Sequence, residues 1–275
     1  MNANGTYSGL ELGAVNGAYS GVNSGIGNGA VLNERNLILN NLNRNGLVLY
    51  LDASSKMSYQ GTGTSWNDLS WNNRVGVLTN GPTFNESNGG SIVFDGNNDF
   101  VEFGDILDLG TNSLTVNIWT YLNSISVTQA FLSKALLGAQ NFRYSVGTGG
   151  PSNDRLTAFI QGNNPGSDIV PYGSTPLPLN TWFMSTFIFD RTSNIRIYYN
   201  GVRETLTNSA TIFQWSGLDF QSINPFRVGT YTGANNITPV QSTNGRIASV
   251  IVYFRAITED EIFKIYKNTK AKFNT

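Results

Sequence analysis

Residues 182–200 read WFMSTFIFDRTSNIRIYYN, two runs of aromatic and β-branched residues joined by the polar turn Asp190-Arg191-Thr192-Ser193-Asn194. Such residues suit a half-buried pleated surface, and a short polar break between two of these runs predicts an antiparallel hairpin. A third stretch, LTVNIWTYL at 114–122, places Leu114, Val116, Ile118, Thr120 and Leu122 on one face by the two-residue period of a strand. From residue 46 onward the pattern repeats. Further strands are predicted over Leu47–Asp52, Ser91–Phe94, Phe100–Phe103, Ala130–Lys134, Phe142–Gly147, Leu156–Gln161, Phe226–Gly229 and Ile247–Phe254. Asn-Gly pairs beginning at Asn80, Asn88, Asn200 and Asn244, with Asp95-Gly96, supply residues that tolerate positive φ at turns. Many short strands with regular turn signals predict an all-β, antiparallel jelly-roll sandwich over residues 46–275.

One helix interrupts the strands. In Ile257-Thr258-Glu259-Asp260-Glu261-Ile262, Thr258 stands at the N-cap, Glu261 three residues on, and Ile257 is set to pack against Ile262. That is a capping box with a hydrophobic staple, and three acids in the first turn suit the helix dipole. The helix is expected to reach about Asn268, with Ile262, Ile265 and Tyr266 inward and Lys264, Lys267 and Lys270 outward.

Residues 1–45 differ in composition. Glycine recurs at every fourth position, Gly5, Gly9, Gly13, Gly17, Gly21, Gly25 and Gly29, between small or polar triplets. Glycines at that spacing let two backbones approach closely, but a helix would lose about 1 kcal/mol at each one relative to Ala. Two readings stand: a low-complexity flexible tail, or an extended assembly arm lying along a neighbouring subunit, in which the glycines mark close approach. We read it as the arm. Residues 33–42, NERNLILNNL, follow as a short capped helix or turn.

Composition removes whole classes of function. The 275 residues contain no Cys and no His, so thiolate nucleophiles, Cys-type zinc sites, histidine triads and imidazole ligands are excluded. A net charge of −1 gives no electrostatic footprint for nucleic acid or an anionic membrane. Only 13% of residues are charged, and 36 asparagines fill much of that gap. The N-terminus MNANGTYSGL has neither the basic nor the apolar region of a signal peptide, and no apolar run approaches the roughly 20 residues that span a bilayer. The expectation is a soluble protein made without a secretory leader.

Five blocks in order carry a family resemblance. They are GLVLYLDASSKMSYQGTGTSWNDLSWNNRVGVLTNGPTF (46–84), GGSIVFDGNNDFVEF (89–103), LTVNIWTYL, the Trp182 hairpin into IRIYYNG, and GRIASVIVYFRAITEDEIFKIYKNTKAKF (245–273). Together they resemble laminin-G-like domains of the concanavalin A-like lectin/glucanase superfamily. The opening LVLYLDA and the closing block look like versions of this domain found in tailed-phage virion proteins. Trp71 departs from the pattern, standing where such domains usually have Gly in a tight turn.

The resemblance raises three site questions. Glucan-cleaving members carry acids spaced ExDxxE on one strand, with the catalytic pair about 5–5.5 Å apart. Here the nearest cluster, Glu102, Asp105 and Asp108, has a spacing that cannot project from one strand face. Glu259, Asp260 and Glu261 already belong to the helix start. The expectation is therefore no enzyme and no catalytic residues. Laminin-G-like domains often hold calcium at a sandwich rim, and Asp95 and Asp99 flank the turn DGNND where both could reach one hard cation. The competing reading is that Asp95 and Asn97 close that turn by side-chain hydrogen bonds. For a glycan, Trp66, Trp119 and Trp182 fall on core positions, leaving Trp71, Tyr172, Trp215 and Tyr231 as loop aromatics able to serve as platforms.

Two functions follow as expectations. The leading one is a non-enzymatic structural virion protein of a phage: made in the host cytoplasm, released by lysis, oligomeric, and attached to other virion proteins by its N-terminal arm. The rival is a carbohydrate-binding adhesin or lectin module that recognises host-surface polysaccharide, with or without calcium.

Overall fold

In the computed structural model Leu114–Leu122 is a nine-residue strand near the middle of the first sheet. The structure describes residues 42–138, 142–162, 168–208, 210–235 and 237–274, so the arm glycines Gly9, Gly13, Gly17, Gly21 and Gly25 lie outside the described residues. Asn43–Thr275 forms one compact unit.

Leu114, Val116, Ile118 and Leu122 point into the central core, as the two-residue period predicts. Trp182–Phe189 pairs with this strand on one side and Asn244–Tyr253 on the other, both antiparallel. The sheet runs Val202–Arg203, Ile195–Tyr199, Trp182–Phe189, Leu114–Leu122, Asn244–Tyr253, Ser91–Asp95, Thr83–Asn85. Leu47–Asp52 occupies the remaining edge of Asn244–Tyr253, pairing Leu47 with Tyr253 and Asp52 with Ser249. The 182–200 hairpin closes as its polar turn predicts. Asp190 Oδ1 accepts from the Thr192 amide at 3.1 Å and the Thr192 hydroxyl at 2.7 Å, while Oδ2 pairs with Arg196 at 3.0 Å.

The second sheet runs Leu206–Thr207, Tyr172–Gly173, Arg155–Gln161, Arg143–Gly149, Ala130–Lys134, Phe226–Val228, Phe100–Glu102, Val75–Thr79, Ser65–Asn67. Its inward residues, among them Val101, Leu132, Tyr144, Val146, Ala158, Ile160, Phe226 and Val228, meet those of the first sheet in a single core. Each Val, Leu, Ile or Phe among them contributes about 1.5–3 kcal/mol by leaving water. A two-stranded ribbon, Tyr231–Thr232 with Pro239–Val240, stands apart from both sheets.

The helix spans Glu259–Thr269 and carries the predicted capping box. Ile257 and Ile262 are both buried, consistent with the staple. Helix and tail lie on the outer face of the first sheet. Trp119 stacks on Phe273 at 4.2 Å and on Tyr266 at 6.0 Å, and Trp182 packs against Phe273 at 4.8 Å. Trp66, Trp119 and Trp182 are all buried, the last two beneath this cover rather than between the sheets. Lys264 and Lys267 face solvent as expected, whereas Lys270 is half-buried over the Tyr266 ring at 5.4 Å. Among the described residues no helix is long and apolar enough to cross a membrane.

Candidate functional site: a cleft outside the second sheet

Strands Arg143–Gly149 and Arg155–Gln161 pair residue by residue, Arg143 with Gln161, Ser145 with Phe159, and Gly147 with Thr157. Because Tyr144, Val146, Leu156, Ala158 and Ile160 fill the core, alternation turns Arg143, Ser145, Phe159 and Gln161 outward. Gly147 permits a close approach beside them. A Cβ there would sit 1.9 Å from the Gln129 carbonyl oxygen, so a side chain would displace the neighbouring backbone.

The ribbon covers part of this outer face. Leu137, just past the Ala130–Lys134 strand, donates to the Thr232 carbonyl at 2.9 Å. Ala130, at the start of that strand, donates to the carbonyl of Gln241, just past the second limb, at 2.7 Å, so the ribbon is tied beside both ends of the strand. Tyr231 is thereby set edge-on to Phe159, ring centres 6.3 Å apart. Between ribbon and sheet lies a cleft of about 250 Å³ whose walls include Phe159, Tyr231, Val170, Leu137, Thr128, Thr157, Arg143 and Asp168. Apolar walls with a few placed polar groups are the usual form of a small-ligand site.

Arg143 is the best anchored of these groups. Its Nε donates to Gln161 Oε1, its Nη1 to the Leu136 carbonyl at 3.1 Å and to the Tyr231 hydroxyl at 3.4 Å. The guanidinium stands 5.1 Å from the Phe159 ring centre, with Asp168 Oδ1 3.9 Å from Nη2. Burial pushes the Tyr231 phenol above its ordinary range, against the nearby Arg143 charge, so it stays neutral and keeps its proton at neutral pH. A broader cleft of about 510 Å³ opens beside the other limb of the ribbon, among Asn80, Asn98, Phe100, Arg227, Ile237 and Pro239.

Of the four predicted platforms, Tyr231 alone lines the first cleft, and none lines the second. Trp71 is exposed at its turn, with the Arg44 guanidinium 5.7 Å from its ring. The chain turns there through Asn73, at φ +52°. Tyr172 is half-buried in a two-residue strand between Thr157 and Thr207. Trp215 must be corrected. It belongs to the core, packed edge-on to Phe220 at 5.9 Å, because the 3-10 turn Phe213–Trp215 tucks the indole inward. Phe159, Arg143 and Asp168 were not foreseen. The signal for Phe159 was present: with Leu156, Ala158 and Ile160 inward, an aromatic is left on the outer face.

At the predicted calcium position, Asp95 Oδ1 accepts from the amides of Asn97 at 2.8 Å and Asn98 at 3.3 Å, while Asp99 Oδ2 accepts from the Asp95 amide at 3.0 Å. This is the turn-closing arrangement. Burial is also the main cause that raises the Asp99 carboxyl pKa. Among the described residues no three of His, Cys, Asp or Glu gather as a metal site. The acid cluster is engaged by cations: Glu102 pairs with Arg227 at 2.6 Å, and buried Lys134 reaches Asp105 at 2.6 Å and Asp108 at 3.3 Å.

Residues 95–263 match the laminin-G-like family described as the concanavalin A-like lectin/glucanases superfamily. The chain belongs to this superfamily. No curated protein sequence matches it. Among solved structures it is similar to the binding domain of Paraclostridial Mosquitocidal Protein 1, with a TM-score of 0.60 and 14% identity over 82% of this chain and 52% of that one. The chain thus spans about half the length of that domain. It is also similar to domain 4 of the extracellular arabinanase AbnA from Geobacillus stearothermophilus, solved with arabinotriose. That likeness has a TM-score of 0.58 and 17% identity over 80% of this chain and 98% of that one. A third likeness is to Trypanosoma rangeli sialidase in complex with sialic acid, TM-score 0.58 and 14% identity, covering 84% of this chain and 34% of that one. These likenesses establish a lectin-like sandwich fold.

Proposed function

We propose that the sandwich is a non-catalytic carbohydrate-binding domain, displayed on a phage-like particle and fastened to it through residues 1–45. The observation that carries the binding role is the cleft in which Phe159 and Tyr231 face the same space as hydroxyl, guanidinium and carboxylate groups. A sugar presents C–H faces to aromatic rings and hydroxyls to polar groups, and this cleft offers both. The domain solved with arabinotriose supports the reading, since it shares the fold along nearly its whole length. Engagement of Glu102, Asp105 and Asp108 by Arg227 and Lys134 favours binding without hydrolysis. The particle role rests on the opening and closing sequence blocks and on the glycine-periodic segment.

A glycan array with purified protein tests the binding role. Phe159→Ala is expected to lower affinity about tenfold, the scale of one aromatic contact. It should lower the melting temperature by only a few degrees, because Phe159 is half-buried outside the core and loses just its Tyr231 and Arg143 contacts. Trp71→Ala should bind like wild type. No saccharide bound, or full binding by Phe159→Ala, overturns the reading. The particle role predicts that mass spectrometry of purified particles finds the chain, and that deleting residues 1–45 abolishes incorporation.

A further inference from the structure

We infer that the cleft selects uncharged saccharides, by seating a sugar hydroxyl between Arg143 and Asp168. The inference rests on the carbohydrate reading above and narrows it to a ligand class. Arg143 Nη2 and Asp168 Oδ1 are 3.9 Å apart, too far for a direct hydrogen bond. The pair is open. One side of it is fixed, because the Arg143 side chain is only 11% exposed and its other nitrogens are held by Gln161, Leu136 and Tyr231. The Asp168 side chain is 44% exposed and can adjust to what enters.

A hydroxyl is the group that completes such a pair, since it accepts from the guanidinium and donates to the carboxylate at once. Two neighbouring sugar hydroxyls serve equally well, one for each partner. A carboxylate on the ligand would gain Arg143 but meet the like charge of Asp168. An ammonium group would gain Asp168 but meet Arg143. Arg143 and Asp168 together carry no net charge, so each charged ligand meets repulsion that a neutral one escapes. Phe159 and Tyr231 supply the apolar wall on which the ring rests.

The test uses the full chain against neutral pentose and hexose oligosaccharides, their uronate- and sialate-bearing counterparts, and amino-sugar oligomers, with melting temperature as a folding control. Neutral oligosaccharides should bind and the charged ones should bind weakly or not at all. Asp168→Asn should lower neutral-saccharide affinity between tenfold and a hundredfold, the scale of a hydrogen bond to a charged group. It should also raise the relative affinity for uronates. Wild-type preference for charged saccharides overturns this inference while leaving the carbohydrate reading standing. So does unchanged neutral binding by a folded Asp168→Asn protein. Failure of wild type to bind any saccharide in the panel overturns both.

Discussion

Arg191 illustrates how far one residue can depart from its local sequence. In DRTSN it reads as a turn residue, yet it is 1% exposed. Its Nη1 donates to the Gly110 carbonyl at 2.6 Å, its Nη2 to those of Trp215 and Leu218, and the guanidinium lies 4.1 Å from the Phe220 ring centre. Those carbonyls belong to segments remote in sequence, which is why the burial is invisible there. Desolvation lowers the Arg191 pKa, but a guanidinium remains charged at any ordinary pH. Arg191→Ala is expected to cost about 3–5 kcal/mol in urea unfolding, since it strips several inward carbonyls of their donor. Arg191→Lys should recover only part, having one nitrogen for three oxygens. Trp215 escaped recognition for the same reason. Its sequence places it beside a loop. Although Phe220 is only five residues on, the Phe142 ring stacked on Phe220 at 4.3 Å and the Arg191 guanidinium that binds the Trp215 carbonyl lie elsewhere in the chain. Phe159 was legible in principle, because only strand alternation was needed to see it.

At the scale of elements, the legible parts are those whose signal is local. Leu47–Asp52, Leu114–Leu122 and Ala130–Lys134 match their predicted bounds, each being a run long enough to show its pattern. Ser65–Asn67, Thr83–Asn85 and the two-residue strands Tyr172–Gly173 and Val202–Arg203 were missed, because so few residues establish no period. Asn244–Tyr253 begins three residues before its prediction, since Asn244-Gly245 reads as a turn. Helix capping needs only adjacent residues and was legible in detail. Thr258 Oγ1 accepts from the Glu261 amide at 3.3 Å, and Glu261 Oε2 accepts from the Thr258 amide at 2.9 Å. Removing both side chains, Thr258→Ala with Glu261→Ala, should weaken the domain in calorimetry by more than a cap alone, which contributes about 1–2 kcal/mol, because Glu261 also pairs with Arg255 through both carboxylate oxygens. The same site makes an acid-sensitive contribution. Hydrogen bonds from Arg255, outweighing desolvation and joined by the Thr258 amide and Asn43, lower the Glu261 pKa from 4.5 to about 2. The unfolded chain therefore binds this proton more readily, and stability held above pH 4.5 is lost as pH falls toward 2. Glu261→Gln should flatten that part of the acid-unfolding curve.

For the whole molecule, the pattern of runs predicts the strands but not which strand lies beside which. Nothing local says that Leu47–Asp52 pairs with the last strand, or that a ribbon at 231–240 covers part of one sheet. The cleft was illegible for that reason, its walls coming from separate stretches between Thr128 and Gln241 that only the fold brings together. The boundary can be tested directly. Asn43 donates to Glu261 Oε1 at 2.7 Å, and the Asn45 carbonyl accepts from Arg255 Nε at 2.6 Å. A fragment of residues 43–275 should unfold in one transition by circular dichroism, and one beginning at residue 46 should melt lower. A molten 43–275 fragment would place the preceding residues in the core. The pairing of first and last strands also has a mechanical side. A tug on the chain ahead of Leu47, directed along the strand, loads the whole ladder from Leu47–Tyr253 to Asp52–Ser249 in shear, so its bonds must yield together. A sideways tug peels the same ladder one rung at a time, starting at Tyr253. Held by this end, the sandwich resists traction along one direction and releases along another.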